Sequence, residues 1–196
     1  MRIILFGGTF DPVHRGHTEI LARADARVNA EKIIVMPAYI APHKQGLGLS
    51  AAEHRLAMLR AVFEGFGKVH VDDREILRGG VSYTVDTVRE LYESEGSGLE
   101  LYVLIGWDNV RIFRTWKSWE TLLNLCKFIV VPRTDGASGE ADEAILRRME
   151  ILEGPLLPCA SSEIRRRIGD EAYLRRCLHP VTLDYIRQKG LYKEYE

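Results

Sequence analysis

An apolar run near the start of the chain, Ile3-Ile4-Leu5-Phe6, breaks at Gly7-Gly8 and is followed by apolar residues at helical spacing, Ile20, Leu21, Ala24 and Val28. A second run, Ile33-Ile34-Val35-Met36, then stops at Pro37. Uninterrupted apolar runs suit strands buried on both faces, and the 3.6-residue period between them suits a helix lying on one face. Two such strands joined through a helix form a β–α–β crossover, which requires a parallel sheet. The alternation continues along the chain. Ser50-Ala51-Ala52-Glu53 reads as a capping box opening a helix with Leu56, Leu59, Ala61, Val62 and Phe63 as its apolar residues. Val69-His70-Val71 reads as a short strand, Ser82-Tyr83-Thr84 opens a further helix, and Leu101 to Ile105 and Phe128 to Val131 are buried strands. Phe113 to Leu125 reads as a loop and helix, Thr134 to Glu140 as a loop after Arg133, and Ala141 to Met149 as a polar surface helix. Leu156-Leu157-Pro158 reads as a short sixth strand, and Pro180 to Ile186 as a terminal helix. The prediction is an α/β fold, a doubly wound parallel sheet of Rossmann-like type. It forms one domain over residues 1–196, with a helical C-terminal part from about residue 160.

Composition narrows the function classes. The net charge of −1, from 27 Lys+Arg against 28 Asp+Glu, offers no bulk attraction for nucleic acid or an anionic membrane. No apolar run is long enough to span a bilayer, and the N-terminus reads as a strand rather than a signal peptide. Cys126, Cys159 and Cys177 are odd in number and scattered, with no C-x-x-C pair, which predicts a reduced, cytoplasmic chain.

The glycines that end the first strand belong to Gly7-Gly8-Thr9-Phe10-Asp11-Pro12-Val13-His14-Arg15-Gly16-His17. Glycine lets the backbone approach a ligand closely, and the N–H groups and dipole at the start of the next helix favour an anion. His14 and His17, three apart, face one side of a helix and can donate to anionic oxygens. His-x-x-His also suits a metal pair, but no third ligand stands at a recognisable spacing, so phosphate contact is preferred. Asp11-Pro12 reads as a turn, with Asp11 a turn former rather than a catalytic group. The stretch is neither the dinucleotide G-x-G-x-x-G nor a Walker loop, which needs Gly-Lys-Ser/Thr. Gly106-Trp107-Asp108-Asn109 follows another strand, at the edge where open parallel sheets bind ligands. Late in the chain, the serines of Cys159-Ala160-Ser161-Ser162-Glu163-Ile164-Arg165-Arg166-Arg167 read as the N-terminus of a helix. Arg165 is expected in its first turn, pointing inward, with Arg166 and Arg167 at the surface.

Gly-Gly-Thr-Phe-Asp-Pro-x-His-x-Gly-His resembles the signature of the nucleotidylyltransferase superfamily, in the wording of the bacterial nicotinate-mononucleotide adenylyltransferases. Pro42-His43-Lys44, Ser82-Tyr83-Thr84, Gly106-Trp107-Asp108-Asn109, Trp116 and Ser161-Ser162-Glu163-Ile164-Arg165 follow in that family's order, and the ending Val181 to Tyr192 resembles its C-terminus. The chain departs from the pattern twice. The family usually writes its late block Ile-Ser-Ser-Thr-x-Ile-Arg, where Cys159 and Ala160 stand in the first two positions and Ser162 replaces Thr. Trp107 fills the commonly small middle position of Gly-x-Asp.

The resemblance implies transfer of the adenylyl group of ATP to nicotinate mononucleotide, giving deamido-NAD and pyrophosphate. A phosphate oxygen would attack the α-phosphorus in line. No serine, cysteine or lysine is paired with an obvious base, which fits a mechanism without a covalent nucleophile. By the same resemblance, Gly7, Gly8, Thr9 and Phe10 with His14 and His17 cradle the ATP phosphates. Ser161, Ser162 and Arg165 would hold the β- and γ-phosphates, and Gly106 and Asp108 would meet the adenosine ribose. Lys44, Tyr83, Thr84 and Trp116 would face the mononucleotide. His14, His17 and Arg165 would carry the catalysis. Mg²⁺ would arrive with ATP, held by phosphates and water rather than by a protein metal site. From sequence pattern alone, Trp116 serves equally as a core tryptophan and Lys44 as a surface lysine. The oligomeric state stays open. Competing readings are a pantetheine-phosphate or nicotinamide-mononucleotide adenylyltransferase, a class I aminoacyl-tRNA synthetase, and a non-catalytic nucleotide sensor. The Ser-Tyr-Thr and Trp blocks speak against pantetheine phosphate, the chain length against a synthetase, and Arg165 against a sensor.

Overall fold

A computed structural model of the chain describes residues 1–44, 46, 48–96, 98–132, 142–154 and 156–193. Six strands form one sheet: β1 (Arg2–Gly8), β2 (Lys32–Pro37), β3 (Val69–Val71), β4 (Glu100–Gly106), β5 (Lys127–Val131) and β6 (Met149–Ile151). Their order is β3-β2-β1-β4-β5-β6, and every neighbouring pair is parallel. The helices are α1 (Arg15–Val28), α2 (Ala52–Phe63), α3 (Arg74–Arg78), α4 (Thr84–Glu95), α5 (Trp107–Arg111), α6 (Trp119–Leu125), α7 (Glu143–Leu146), α8 (Ser161–Arg166), α9 (Glu171–Cys177) and α10 (Pro180–Lys189).

The pleat sorts each apolar run onto two faces. Ile4, Phe6, Ile33, Val35, Leu104 and Ile129 pack into one core with α1, α2 and α8 to α10. Ile3, Leu5, Ile34, Met36, Val103, Ile105 and Phe128 pack into another with α4 to α7. This is why the strand sequences are apolar throughout rather than alternating. The strand order reverses between β1 and β4, so the C-terminal ends of those two strands meet at the switch point where open α/β sheets bind ligands. Among the described residues, no helix is long and apolar enough to cross a membrane.

Several local expectations are corrected. The sixth strand is Met149–Ile151, in register with Phe128 to Val130, and not Leu156-Leu157-Pro158. Leu157 instead donates its backbone N–H to Glu19 Oε2 at 3.0 Å, so that segment crosses α1 outside the sheet. The polar helix shortens to α7, where Asp142 accepts from the N–H groups of Ala144 and Ile145; Arg133, the 134–140 loop and Ala141 lie outside the described residues. The capping box at Ser50 is not formed. Helix α2 has Ala51 as its N-cap, and the Ser50 N–H donates instead to Asp11 Oδ2 at 3.1 Å, because the buried carboxylate requires donors. The cysteine reading changes most. Cys159 and Cys177 form a disulfide, with Cα atoms 5.5 Å apart, and Cys126 is a buried free thiol. The chain turns back through α9, so scattered positions in sequence become neighbours in space.

Candidate active site

A cavity of about 220 Å³ opens at the switch point, lined by Gly7, Gly8 and Thr9 at the end of β1, by Gly106 and Asn109 after β4, and by Ser82, Tyr83, Thr84 and Trp116 opposite. The glycine at position 8 is dictated by packing. A Cβ there would stand 3.0 Å from the Phe10 ring. Phe10 adopts the left-handed φ of 51° and turns that ring into the core, edge-on to Phe6 at 5.2 Å and to His17 at 5.0 Å. Phe10 is buried and does not line the cavity.

His14 is the N-cap of α1 and His17 lies in its first turn. The His14 N–H donates to His17 Nδ1 at 3.1 Å, and the two rings stack with centroids 3.7 Å apart. Because Nδ1 is accepting, the ring proton of His17 sits on Nε2, a donor of fixed tautomer. His14 is only 5% exposed. Burial first, and the nearby His179 second, push its pKa down to about 3, so it is neutral near pH 7. Neither ring belongs to the lining of the cavity.

Helix α8 comes back onto this loop. Ser161 Oγ donates to Pro12 O at 2.9 Å, and Arg165 Nη1 donates to Asp11 O at 2.6 Å. The N-cap of α8 is Ala160 rather than a serine, so Ser161 and the exposed Ser162 are its first helical residues, and Arg165 falls in the second turn, not the first. Arg165 still points inward. Arg166 pairs with Glu163 at 2.6 Å on the surface, and Arg167 pairs with Asp170.

The other expected residues divide. Gly106 lines the cavity, whereas Asp108 is exposed at the start of α5 and does not. Trp107 packs inward with the α4–α7 core, which lets a large side chain occupy that position without filling the cavity. Tyr83 is the N-cap of α4 and Thr84 its first residue; the first intrahelical bonds are made by the N–H groups of Asp86 and Thr87 to Tyr83 O. Trp116 both packs on Phe113, centroids 5.2 Å apart, and lines the cavity, and its Nε1 is buried without a hydrogen-bond partner. Pro42 and His43 line the cavity, while the side chain of Lys44 lies outside the described residues.

Residues 5–167 match the cytidylyltransferase-like family. The chain belongs to that family. Two relatives, each described as a "Probable nicotinate-nucleotide adenylyltransferase", are 36% identical. The match to the Fusobacterium nucleatum protein covers 87% of this chain and 89% of the relative; that to the Gemmatimonas aurantiaca protein covers 100% and 94%. Among solved structures, the Plasmodium falciparum nicotinic acid mononucleotide adenylyltransferase complexed with NaAD shares the fold, with a TM-score of 0.77, 23% identity and 97% of each chain covered.

In this cytidylyltransferase-like chain, two buried charged residues escaped the sequence reading. Arg55 is 1% exposed and donates to four backbone carbonyls: Thr9 O at 2.8 Å, Ala38 O at 2.7 Å, Tyr39 O at 3.2 Å and Ser50 O at 3.2 Å. It thereby ties the β1 cradle to the segment after β2. Its place on the apolar stripe of α2, four residues before Leu59 and seven before Val62, was the available signal. Glu75 lines the cavity and accepts from Thr87 Oγ1 at 2.5 Å. Burial raises its pKa, partly offset by its hydroxyl donors, Thr87 and Ser82. Nothing in the spacing of Arg74 to Arg78 marks it.

Proposed function

We infer that the chain is a nicotinate-nucleotide adenylyltransferase, transferring the adenylyl group of ATP to nicotinate mononucleotide to give deamido-NAD and pyrophosphate. The reading is carried by the two relatives alike over nearly the whole chain, whose described activity suits a switch-point cavity with the Gly7-Gly8-Thr9 turn on one side and the N-terminus of α4 on the other. The mononucleotide phosphate oxygen bonds to the α-phosphorus as the bond to pyrophosphate breaks. In our reading, the backbone from Gly7 to Phe10, with His14 and His17, cradles the triphosphate. The Nε2–H of His17 donates to oxygens whose charge grows as pyrophosphate leaves. Arg165, with Ser161 and Ser162, holds the β- and γ-phosphates; Gly106 and Asp108 meet the adenosine ribose; Lys44, Tyr83, Thr84 and Trp116 face the mononucleotide. Mg²⁺ enters with ATP: imidazoles, a guanidinium and backbone N–H groups are ligands for phosphate oxygen and leave the cation to the phosphates and water. A cytoplasmic location is retained from the substrates required rather than from the cysteines, two of which are bonded.

The test is incubation of the protein with Mg²⁺, ATP and, separately, nicotinate mononucleotide, nicotinamide mononucleotide and pantetheine phosphate, with mass identification of the adduct. Deamido-NAD as the dominant product is expected. Adenylylation of pantetheine phosphate, or ATP binding without any transfer, would replace this reading with one of its competitors.

A further inference from the structure

The end of the chain reaches the nucleotide cradle. Helix α10 closes with Gly190 at a left-handed φ of 60°, and Tyr192 takes the same left-handed φ of 60°, a conformation uncommon for a residue with a side chain. The two turns aim the Tyr192 ring back across the molecule, where its hydroxyl donates to Asp11 Oδ1 at 2.6 Å. Asp11 is 1% exposed, and its second oxygen accepts from the Ser50 N–H. Arg165 Nη1 bonds the Asp11 backbone carbonyl but stands 4.0 Å from Oδ2, beyond hydrogen-bond reach. A carboxylate with both oxygens occupied leaves the neighbouring guanidinium only loosely paired, and the Arg165 side chain stays 32% exposed. Burial and the Asp11 carboxylate raise the Tyr192 pKa well above the ordinary phenol value, so the hydroxyl stays a donor.

We propose that Tyr192 is a positioning residue for the triphosphate: by occupying Asp11 it keeps the Arg165 guanidinium turned to the nucleotide instead of paired with the buried carboxylate. This rests on the assignment of Arg165 to the ATP phosphates made above. Without the hydroxyl, Oδ1 becomes a buried acceptor lacking its donor; Arg55 also acts on this carboxylate but is held by four backbone carbonyls, which leaves Arg165, 4.0 Å from Oδ2, as the cation with N–H groups to turn onto it. The arginine is then drawn down and competes poorly for phosphate. The earlier reading of Asp11 as a plain turn former changes accordingly: its carboxylate is the junction of the first motif, the segment before α2, α8 and the C-terminal segment.

The test compares Tyr192→Phe, Arg165→Ala and the double variant, with melting temperature measured for each. Tyr192→Phe keeps the ring and should fold. It should raise KM for ATP, and the ATP dissociation constant measured by calorimetry without acceptor, about ten- to a hundredfold, the range for loss of a hydrogen bond to a charged group. KM for the mononucleotide should stay within about twofold, a split that general loosening would not produce. In the Arg165→Ala background, Tyr192→Phe should add less than about twofold, because the two act through one contact. Unchanged ATP binding in Arg165→Ala would overturn the assignment of Arg165 itself. Weakened ATP binding in Arg165→Ala with an unchanged KM for ATP in Tyr192→Phe would overturn the positioning role. So would equal losses for both substrates, or independent addition in the double variant.

Discussion

At the scale of single residues, a backbone N–H decides the chemistry of His17. By holding Nδ1 as an acceptor, the His14 amide leaves Nε2–H as the donor, so no proton need be exchanged for the ring to contact a phosphate. His17→Ala should lower kcat by about 10²–10³, the usual loss for one charge-stabilising donor, with little change in KM for ATP. Steady-state kinetics at saturating mononucleotide would show it, and a normal kcat would reassign His17 to structure. The imidazole motif was legible because a short sequence pattern sets it at the start of α1, and the inward Arg165 because it follows the buried Ile164 in a short block, although it sits one turn later than expected. Arg55, Glu75 and the junction at Asp11 were not, since their partners lie far off in the chain and one polar residue on an apolar stripe looks like noise.

At the scale of elements, Tyr83 and Thr84 line the cavity where α4 begins, and the helix N–H groups ahead of Asp86 make no intrahelical bond. A carboxylate suits those donors, and the helix dipole adds typically 0.3–1 kcal/mol. A carboxamide turns its own N–H₂ toward some of them or leaves them unpaired, at roughly 1–3 kcal/mol. Nicotinate mononucleotide should therefore be preferred over the amide by very roughly 10²–10³ in kcat/KM. Trp116→Ala should weaken both and leave most of the ratio; comparing the two acceptors at saturating ATP checks both statements. The disulfide joins the residue two before α8 to the last residue of α9. A crosslink 18 residues apart limits the unfolded chain, by about 3 kcal/mol in the chain-entropy account. Dithiothreitol should lower the melting temperature of the wild type and leave Cys159→Ala unmoved. Equal melting with and without reductant would mean that the bond is absent in solution.

At the scale of the whole molecule, His14 couples the first motif to the C-terminal helices, because His179, the N-cap of α10, is among the groups acting on it. The native pKa of about 3 lies below the unfolded value of 6.5, so the unfolded chain takes up the proton first. Stability is full above about pH 6.5 and falls as pH drops toward 3, at up to about 1.4 kcal/mol per unit for this ring. His179, lowered by burial and by Arg15, acts in the same direction, whereas Glu75, raised by burial, opposes it above its unfolded pKa. Denaturant melts between pH 5 and 6.5 should therefore show a flatter acid slope in His14→Gln than in the wild type; identical slopes would mean that His14 is protonated in the fold. Two-faced apolar runs, glycine ends and intervening helical periods were enough for the parallel α/β sheet, because strand burial and helix packing are written locally in residue order. The edge strand β6 and the disulfide were not, since three residues alternating Met-Glu-Ile, or two distant cysteines, acquire meaning only beside β5 and α9. The sequence by itself determined the layered sheet and the glycine-ended strands at whose edge the cavity opens. Only the tertiary structure decided that Arg165, Asp11 and Tyr192 share one junction, because hydrogen bonds between residues 154 and 181 positions apart depend on how the layers close and leave no period in the chain.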